Sequence, residues 1–223
     1  IVPRNVAQEN FLELLKNPRK FITFAIGPAG TGKTMLAVQI AIKLFKEGAI
    51  SKIIVTRPAV SVDEEHGFLP GTLNQKMEPW TRPIFDVFEE YYHPREIADM
   101  LEDGVIEISP LAYMRGATFD NSLMILDEAQ NCDMKQLMLY ISRLGAGSKA
   151  IIAGDVTQHD IAYDKVALPQ FINLVKDIPK IAEVKFGEED IVRSEILKEI
   201  VKRYESWKYS SHNKENSSKN GKG

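Results

Sequence analysis

The apolar positions of this chain fall into short, nearly unbroken runs. They lie at 21–26 (FITFAI), 52–56 (KIIVT), 104–108 (GVIEI), 122–126 (SLMIL), 149–153 (KAIIA) and 182–186 (AEVKF). Runs this short, bounded by Gly, Pro, Asn or Asp, are expected to be strands buried on both faces, as in a parallel sheet. Between them the period changes. Residues 35–42 repeat apolar side chains at helical spacing, and Gly48 supplies a stop. Strand, helix and strand in succession make a βαβ unit.

Further helices are expected at 11–15, capped by Asn10 and ended near Pro18, and at 95–101 and 172–178. Residues 75–92 form an amphipathic helix that Pro79 and Pro83 are expected to interrupt. In it Trp80, Ile84, Phe85 and Phe88 recur at helical spacing, which marks core. Met134, Leu137, Met138, Ile141 and Leu144 form another core stripe. Ser194 caps a last helix, 195–204. The fold class is α/β, a parallel sheet flanked by helices. Residues 60–71, which hold Asp63, Glu64, Glu65 and Phe68, read either as a moving element or as an ordinary connector.

Composition narrows this. A chain of 223 residues with 44% hydrophobic residues can bury the core of one domain. One cysteine, Cys132, leaves no disulfide framework and no cysteine-based metal site. No run is long enough to span a membrane, the N-terminus is not a signal peptide, and a cytoplasmic location is expected. The net charge of −3 is unevenly spread: four lysines and one glutamate at 206–223 leave that tail at +3 and the body at −6. The domain reading is therefore a body at 1–205 and a polar, disordered tail at 206–223. The body is not a basic platform, so nucleic-acid binding requires a local patch or an assembled surface.

The chemistry begins after the first strand, at Gly27-Pro28-Ala29-Gly30-Thr31-Gly32-Lys33-Thr34, followed by Met35. Strand, glycine-rich turn and helix is the setting in which this pattern is a phosphate-binding loop. Successive N–H groups point into one concavity at the positive end of the helix. Lys33 can reach the terminal phosphates, and the Thr34 hydroxyl can join a Mg²⁺ shell. The fourth strand ends in Asp127-Glu128. There the aspartate can hold Mg²⁺ and the glutamate can polarise the attacking water; otherwise the two acids merely favour a helix start. Carboxyl ends of parallel strands gather at one edge of a sheet. Gly27, Thr56, Asp127 and Gly154 should therefore face one cleft, with Gln158 near the γ-phosphate. Gln8 is either a surface glutamine or a reader of adenine. His93, before Pro94, is expected to be structural.

These motifs together resemble the PhoH family of ATPases. The likeness runs through GPAGTGKT at 27–34, TRPAV at 56–60, GFLPG at 67–71, IEISPLAYMRG at 106–116, ILDEAQN at 125–131, SRLG at 142–145 and GDVTQHD at 154–160. It implies a RecA-like core, similar to the first motor domain of superfamily 1 helicases, with ATP and Mg²⁺ as cofactors. It further implies RNA or single-stranded DNA as partner and a homo-oligomeric ring, a hexamer. By the same likeness Gln8 reads adenine and Gln158 senses the γ-phosphate. Two blocks depart from the family: Arg115-Gly116-Ala117-Thr118 where Arg-Gly-Arg-Thr is usual, and Arg193-Ser194 where Arg-His is usual. Both concern charge sensors. Arg193 is the candidate to act within its own subunit and Arg115 to reach a neighbour, while Arg143 sits near a helix end. The chain has no room after Tyr204 for the nuclease domain of some members, so no nuclease activity is expected.

Three functions compete on these residues. One is a Mg²⁺-dependent ATPase that remodels or unwinds nucleic acid. The second is a small-molecule kinase, which rarely pairs the loop with Asp-Glu-Ala-Gln. The third is a nucleotide-dependent assembly module without turnover. The ATPase reading uses Lys33, Glu128, Gln158, Arg193 and Arg115 in catalysis.

Overall fold

A computed structural model describes residues 1–58, 73–114, 116, 118–156, 167–204, 206 and 207, with the backbone alone at 73–78. The chain divides into two units, Ile1–Asp190 and Ile191–Gly223. This division precedes the 195–204 helix instead of following it.

The first unit is built on six parallel strands: β1 (Ile22–Ile26), β2 (Lys52–Arg57), β3 (Ile106–Pro110), β4 (Ser122–Leu126), β5 (Lys149–Gly154) and β6 (Ile181–Lys185). Their order is β3-β2-β4-β5-β1-β6. Every expected strand is present, and β1, β2, β4 and β5, covered on both faces, show in the sequence as nearly plain apolar runs. Alternate side chains serve opposite faces. Ala25, Ile53, Val55, Leu123, Ile125 and Ile151 face the helices α1 (Val6–Lys16), α2 (Lys33–Lys46), α3 (Leu73–Glu89) and α4 (Pro94–Glu102). Phe24, Ile54, Met124, Leu126 and Ile152 face α5 (Met134–Ile141) and α6 (Ala167–Val175).

Several expected boundaries move. The first helix begins five residues earlier than its apolar run, with Asn5, not Asn10, accepting the Gln8 N–H. Pro79 and Pro83 lie inside α3 instead of interrupting it. α6 spans Ala167–Val175, so helix is present ahead of the expected 172 and Pro169 lies within it. In α5 Leu137 is buried, but Met138 is 50% exposed and leaves the expected stripe. His93 is structural, as expected: it caps α4 with a reciprocal Glu96 bond. The loop 60–71 lies outside the described residues.

In the second unit the helix 195–204 is present, with Leu197 N–H reaching Ser194 Oγ at 3.4 Å. Of the tail, Ser206 and Trp207 are helical, and the rest lies outside the described residues. Among the described residues no helix is long and apolar enough to cross a membrane.

Candidate functional site at the carboxyl edge of the sheet

β1 delivers the phosphate loop between β5 and β6, and the loop is fixed from both sides. Gly27 N–H donates to Gly154 O at 3.0 Å, and Phe186 N–H donates to Ile26 O at 2.7 Å. A Cβ on Gly27 would collide with the Phe186 backbone, so glycine is required where the chain leaves the sheet. Gly32, the N-cap of α2, has φ +83°, a conformation that disfavours any side chain. The first turn of α2 then presents Lys33, Thr34 and Met35 to a cavity of about 320 Å³. Ala29, Gly30 and Gly32 form one wall, and Asp127, Glu128 and Gly154 the other. Pro28 and Thr31 lie behind this surface and serve Lys33.

Lys33 is 9% exposed. Its ammonium donates to Gly27 O at 2.8 Å, Pro28 O at 2.6 Å and Thr31 Oγ1 at 3.1 Å. Burial lowers its pKa below the ordinary 10.5, and the charges of Asp155, Asp127 and Glu128 pull it part of the way back. All three N–H bonds are thus spent on the loop itself.

Gln8 is 3% exposed and lies against the back of the loop. Its Nε2 donates to Thr31 O at 3.0 Å, and its Oε1 accepts from Arg4 N at 2.8 Å. Of the two sequence readings, the surface one does not hold. Each end of the amide retains one further bonding position.

β4 brings up the acids. Thr34 Oγ1 donates to Asp127 Oδ1 at 2.7 Å, joining the two residues expected to share a metal. A hydroxyl beside a carboxylate is a hard oxygen pair that fits Mg²⁺, whose remaining positions go to phosphate and water. Among the described residues there is no group of three or more Asp, Glu, His or Cys that could hold a metal ion. Glu128 follows at φ 52°, ψ 41°. A left-handed glutamate is uncommon, and such strain persists only where the surroundings over-determine it.

Two of those surroundings were missed in the sequence. Gln130 Nε2 donates to Glu128 Oε2, while its Oε1 accepts from Asp155 N–H at 3.0 Å. Arg57, the last residue of β2, places Nη2 3.2 Å from Glu128 Oε1 and 3.5 Å from Asp127 Oδ2. The signal was available: if strand ends converge, the side chain ending β2 converges with those ending β4 and β5. The sequence singles out other arginines. Arg143 follows α5, where its carbonyl accepts from Phe119 N–H at 2.8 Å, at the amino-end edge of the sheet beside Leu144. Arg193 belongs to the second unit. Arg115 and Gln158 lie outside the described residues. Cys132 is buried and its thiol is pushed up to about 12, so it is no nucleophile.

The large terminase of a thermophilic bacteriophage shares the fold, with TM-score 0.59 at 9% identity over 91% of this chain and 50% of that one. The UvsW helicase of bacteriophage T4 gives 0.50 at 15% identity, over 84% and 60%. At such identities the likeness is one of architecture alone. Sequence relatives are nearer. A PhoH-like protein of Synechocystis is 45% identical over 82% of this chain and 56% of its own length. One of Bacillus subtilis is 42% identical, over 91% and 63%. Protein PhoH of Escherichia coli is 37% identical, over 92% and 58%. The chain thus spans about three-fifths of the length of these relatives. The family described as PhoH-like protein matches residues 1–205, and the chain belongs to that family.

Proposed function

We propose that the protein is an ATP hydrolase that requires Mg²⁺ and works on RNA or single-stranded DNA. The observation that carries the hydrolase reading is the convergence of Lys33, Thr34, Asp127 and Glu128 on one cavity at the strand ends. Phosphoryl transfer to water asks little covalent chemistry of a protein. It asks for neutralised phosphate charge and an oriented water. Lys33 binds the terminal phosphates by exchanging its loop carbonyls for phosphate oxygens. Thr34 and Asp127 would hold Mg²⁺, which when bound supplies further positive charge at those oxygens. Glu128 takes the proton of the attacking water, and Gln130 orients it from the Oε2 side. Gln8 fixes the loop from behind and has one donor and one acceptor left for an adenine. Gln158 is assigned to the γ-phosphate by family likeness.

The nucleic-acid partner and the ring rest on that likeness too. A single RecA-like domain covers one side of the γ-phosphate, and a neighbouring subunit of a hexamer would cover the other with Arg115; Arg193 is the alternative within the subunit. A cytoplasmic location accords with this chemistry.

The test measures phosphate release with and without single-stranded RNA and DNA, for the wild type and for Glu128→Gln. Glu128→Gln is expected to bind ATP with near-normal affinity and lose roughly 10²–10⁴-fold in turnover, the usual contribution of a positioned base. Unchanged turnover in this variant would remove Glu128 as the base. Turnover indifferent to both polymers would remove the nucleic-acid reading and leave the hydrolase.

A further inference from the structure

The hydrolytic reading leaves Arg57 without a task, yet this residue touches both acids of the site. Its side chain is 27% exposed, and the guanidinium reaches Asp127 and Glu128 through one nitrogen, Nη2, at 3.5 and 3.2 Å. Charge-assisted N–H···O bonds of good geometry are shorter, about 2.7–2.9 Å. The arginine thus divides itself between two partners and serves neither fully. Its Nε is buried and has no partner among the described residues, which is costly for a donor. The carbon of the same group lies 5.5 Å from the centre of the Trp80 ring, a face on which a guanidinium can rest without carboxylates.

Every oxygen of both acids has a neighbour as a result. Asp127 has Oδ1 on Thr34 and Oδ2 on Arg57. Glu128 has Oε2 on Gln130 and Oε1 on Arg57. An oxygen engaged by a guanidinium is a poor acceptor for a water's proton. A carboxylate neutralised by it is a poor ligand for a dication.

We propose that Arg57 is a restraining residue on Asp127 and Glu128. It competes with the metal for Asp127 and with the attacking water for Glu128, and it retreats along Trp80 when metal and nucleotide load. The arrangement suits a switch: the hold is divided and partly unsatisfied, so charge arriving at Thr34 and Asp127 can dislodge it. Arg57 is a positioning residue in this scheme. It acts through the two acids, and the turnover part of this proposal rests on the hydrolase reading.

Three measurements test it, on the whole chain with Trp207→Phe so that Trp80 is the one tryptophan. In Arg57→Gln the Mg²⁺ concentration that half-saturates binding of a fluorescent, non-hydrolysable ATP analogue is expected to fall about 2–5-fold, the worth of a partly exposed ion pair. Its kcat is expected to rise by a similar factor with little change in KM, and the rise must vanish when Glu128→Gln is added. Trp80 emission should change on adding Mg²⁺ with the analogue in the parent protein, and not in Arg57→Gln. Arg57→Lys, which keeps the charge but not the fork, should fall between the two and decides the matter if the glutamine variant does not fold. An unchanged metal midpoint together with a lowered kcat, at unchanged melting temperature, would overturn the proposal by making Arg57 a permanent support. If the wild type shows no turnover, the hydrolase reading fails alone, and the metal midpoint and Trp80 emission still decide the role of Arg57.

Discussion

Lys33 shows how a single residue sets the working range of the site. Its lowered pKa comes first from burial, so the charged form that phosphate needs is lost at lower pH than for an exposed lysine. Nucleotide affinity is therefore expected to weaken as pH rises through a range that ends below the ordinary 10.5. Lys33→Arg, which stays charged there, should flatten the decline, and binding titrations at successive pH values check this. Folding has the opposite slope. Between the lowered pKa and 10.5 the unfolded chain holds more protons, so the Lys33 share of stability grows with pH. Gly27 is the other residue with a sharp consequence. Alanine there would press on the Phe186 backbone, to which the loop is tied on the β6 side. Overpacking of this kind costs about 1–3 kcal/mol, to be read as an earlier urea midpoint with an unchanged slope.

At the scale of elements, the site depends on how α1 is held, because α1 carries Gln8 to the back of the phosphate loop. Lys149, the first residue of β5, ties the far end of that helix, with Nζ on Leu15 O at 2.8 Å and Asn17 O at 2.6 Å. Lys149→Met keeps the stem and removes both bonds. Charge-assisted hydrogen bonds are worth about 1.5–3 kcal/mol. The variant is expected to lose that order of stability in denaturant unfolding and to bind nucleotide less tightly. Loss of stability without loss of affinity would uncouple α1 from the loop. This coupling was not legible in the sequence. A strand such as β4 announces itself because all its side chains are buried. The start of α1 does not, because Val6 is exposed and Gln8 is held by a tertiary bond that no local pattern encodes. Local rules misjudged prolines for a similar reason. Pro79 and Pro83 looked like breaks and lie inside α3, where the rest of the helix carries on around them. The site divides likewise. Lys33, Thr34 and Asp127 carry motifs, and their motifs placed them together. Arg57 and Gln130 act through what they reach across the strand ends, which becomes visible only once β2, β4 and β5 are known to lie side by side.

For the whole molecule, the open question is what faces the cavity from the side that this sheet does not cover. The described residues of the first unit supply two cations near the acids: Lys33, spent on its own loop, and Arg57, which restrains them. If the site hydrolyses ATP as proposed, transition-state charge on the γ-phosphate calls for another, and an arginine supplied within or between subunits is worth about 10³–10⁵ in rate in well-studied NTPases. Head-to-tail contacts place one surface of a subunit against a different surface of the next, and they close into a ring when the rotation permits. If Arg115 crosses such a contact, each active site takes Lys33 from one subunit and Arg115 from its neighbour. Lys33→Ala and Arg115→Ala proteins should each be inactive alone. Mixed and reassembled, they should regain part of the wild-type turnover, because some contacts then join an intact Lys33 to an intact Arg115. The recovery should rise and fall with mixing ratio, peaking near equal amounts. Native mass spectrometry of the same mixtures should show one closed stoichiometry, six copies for a hexamer. A protein that stays monomeric at nanomolar concentration with full turnover would place the missing cation within the subunit, where Arg193→Ala should then abolish activity by itself.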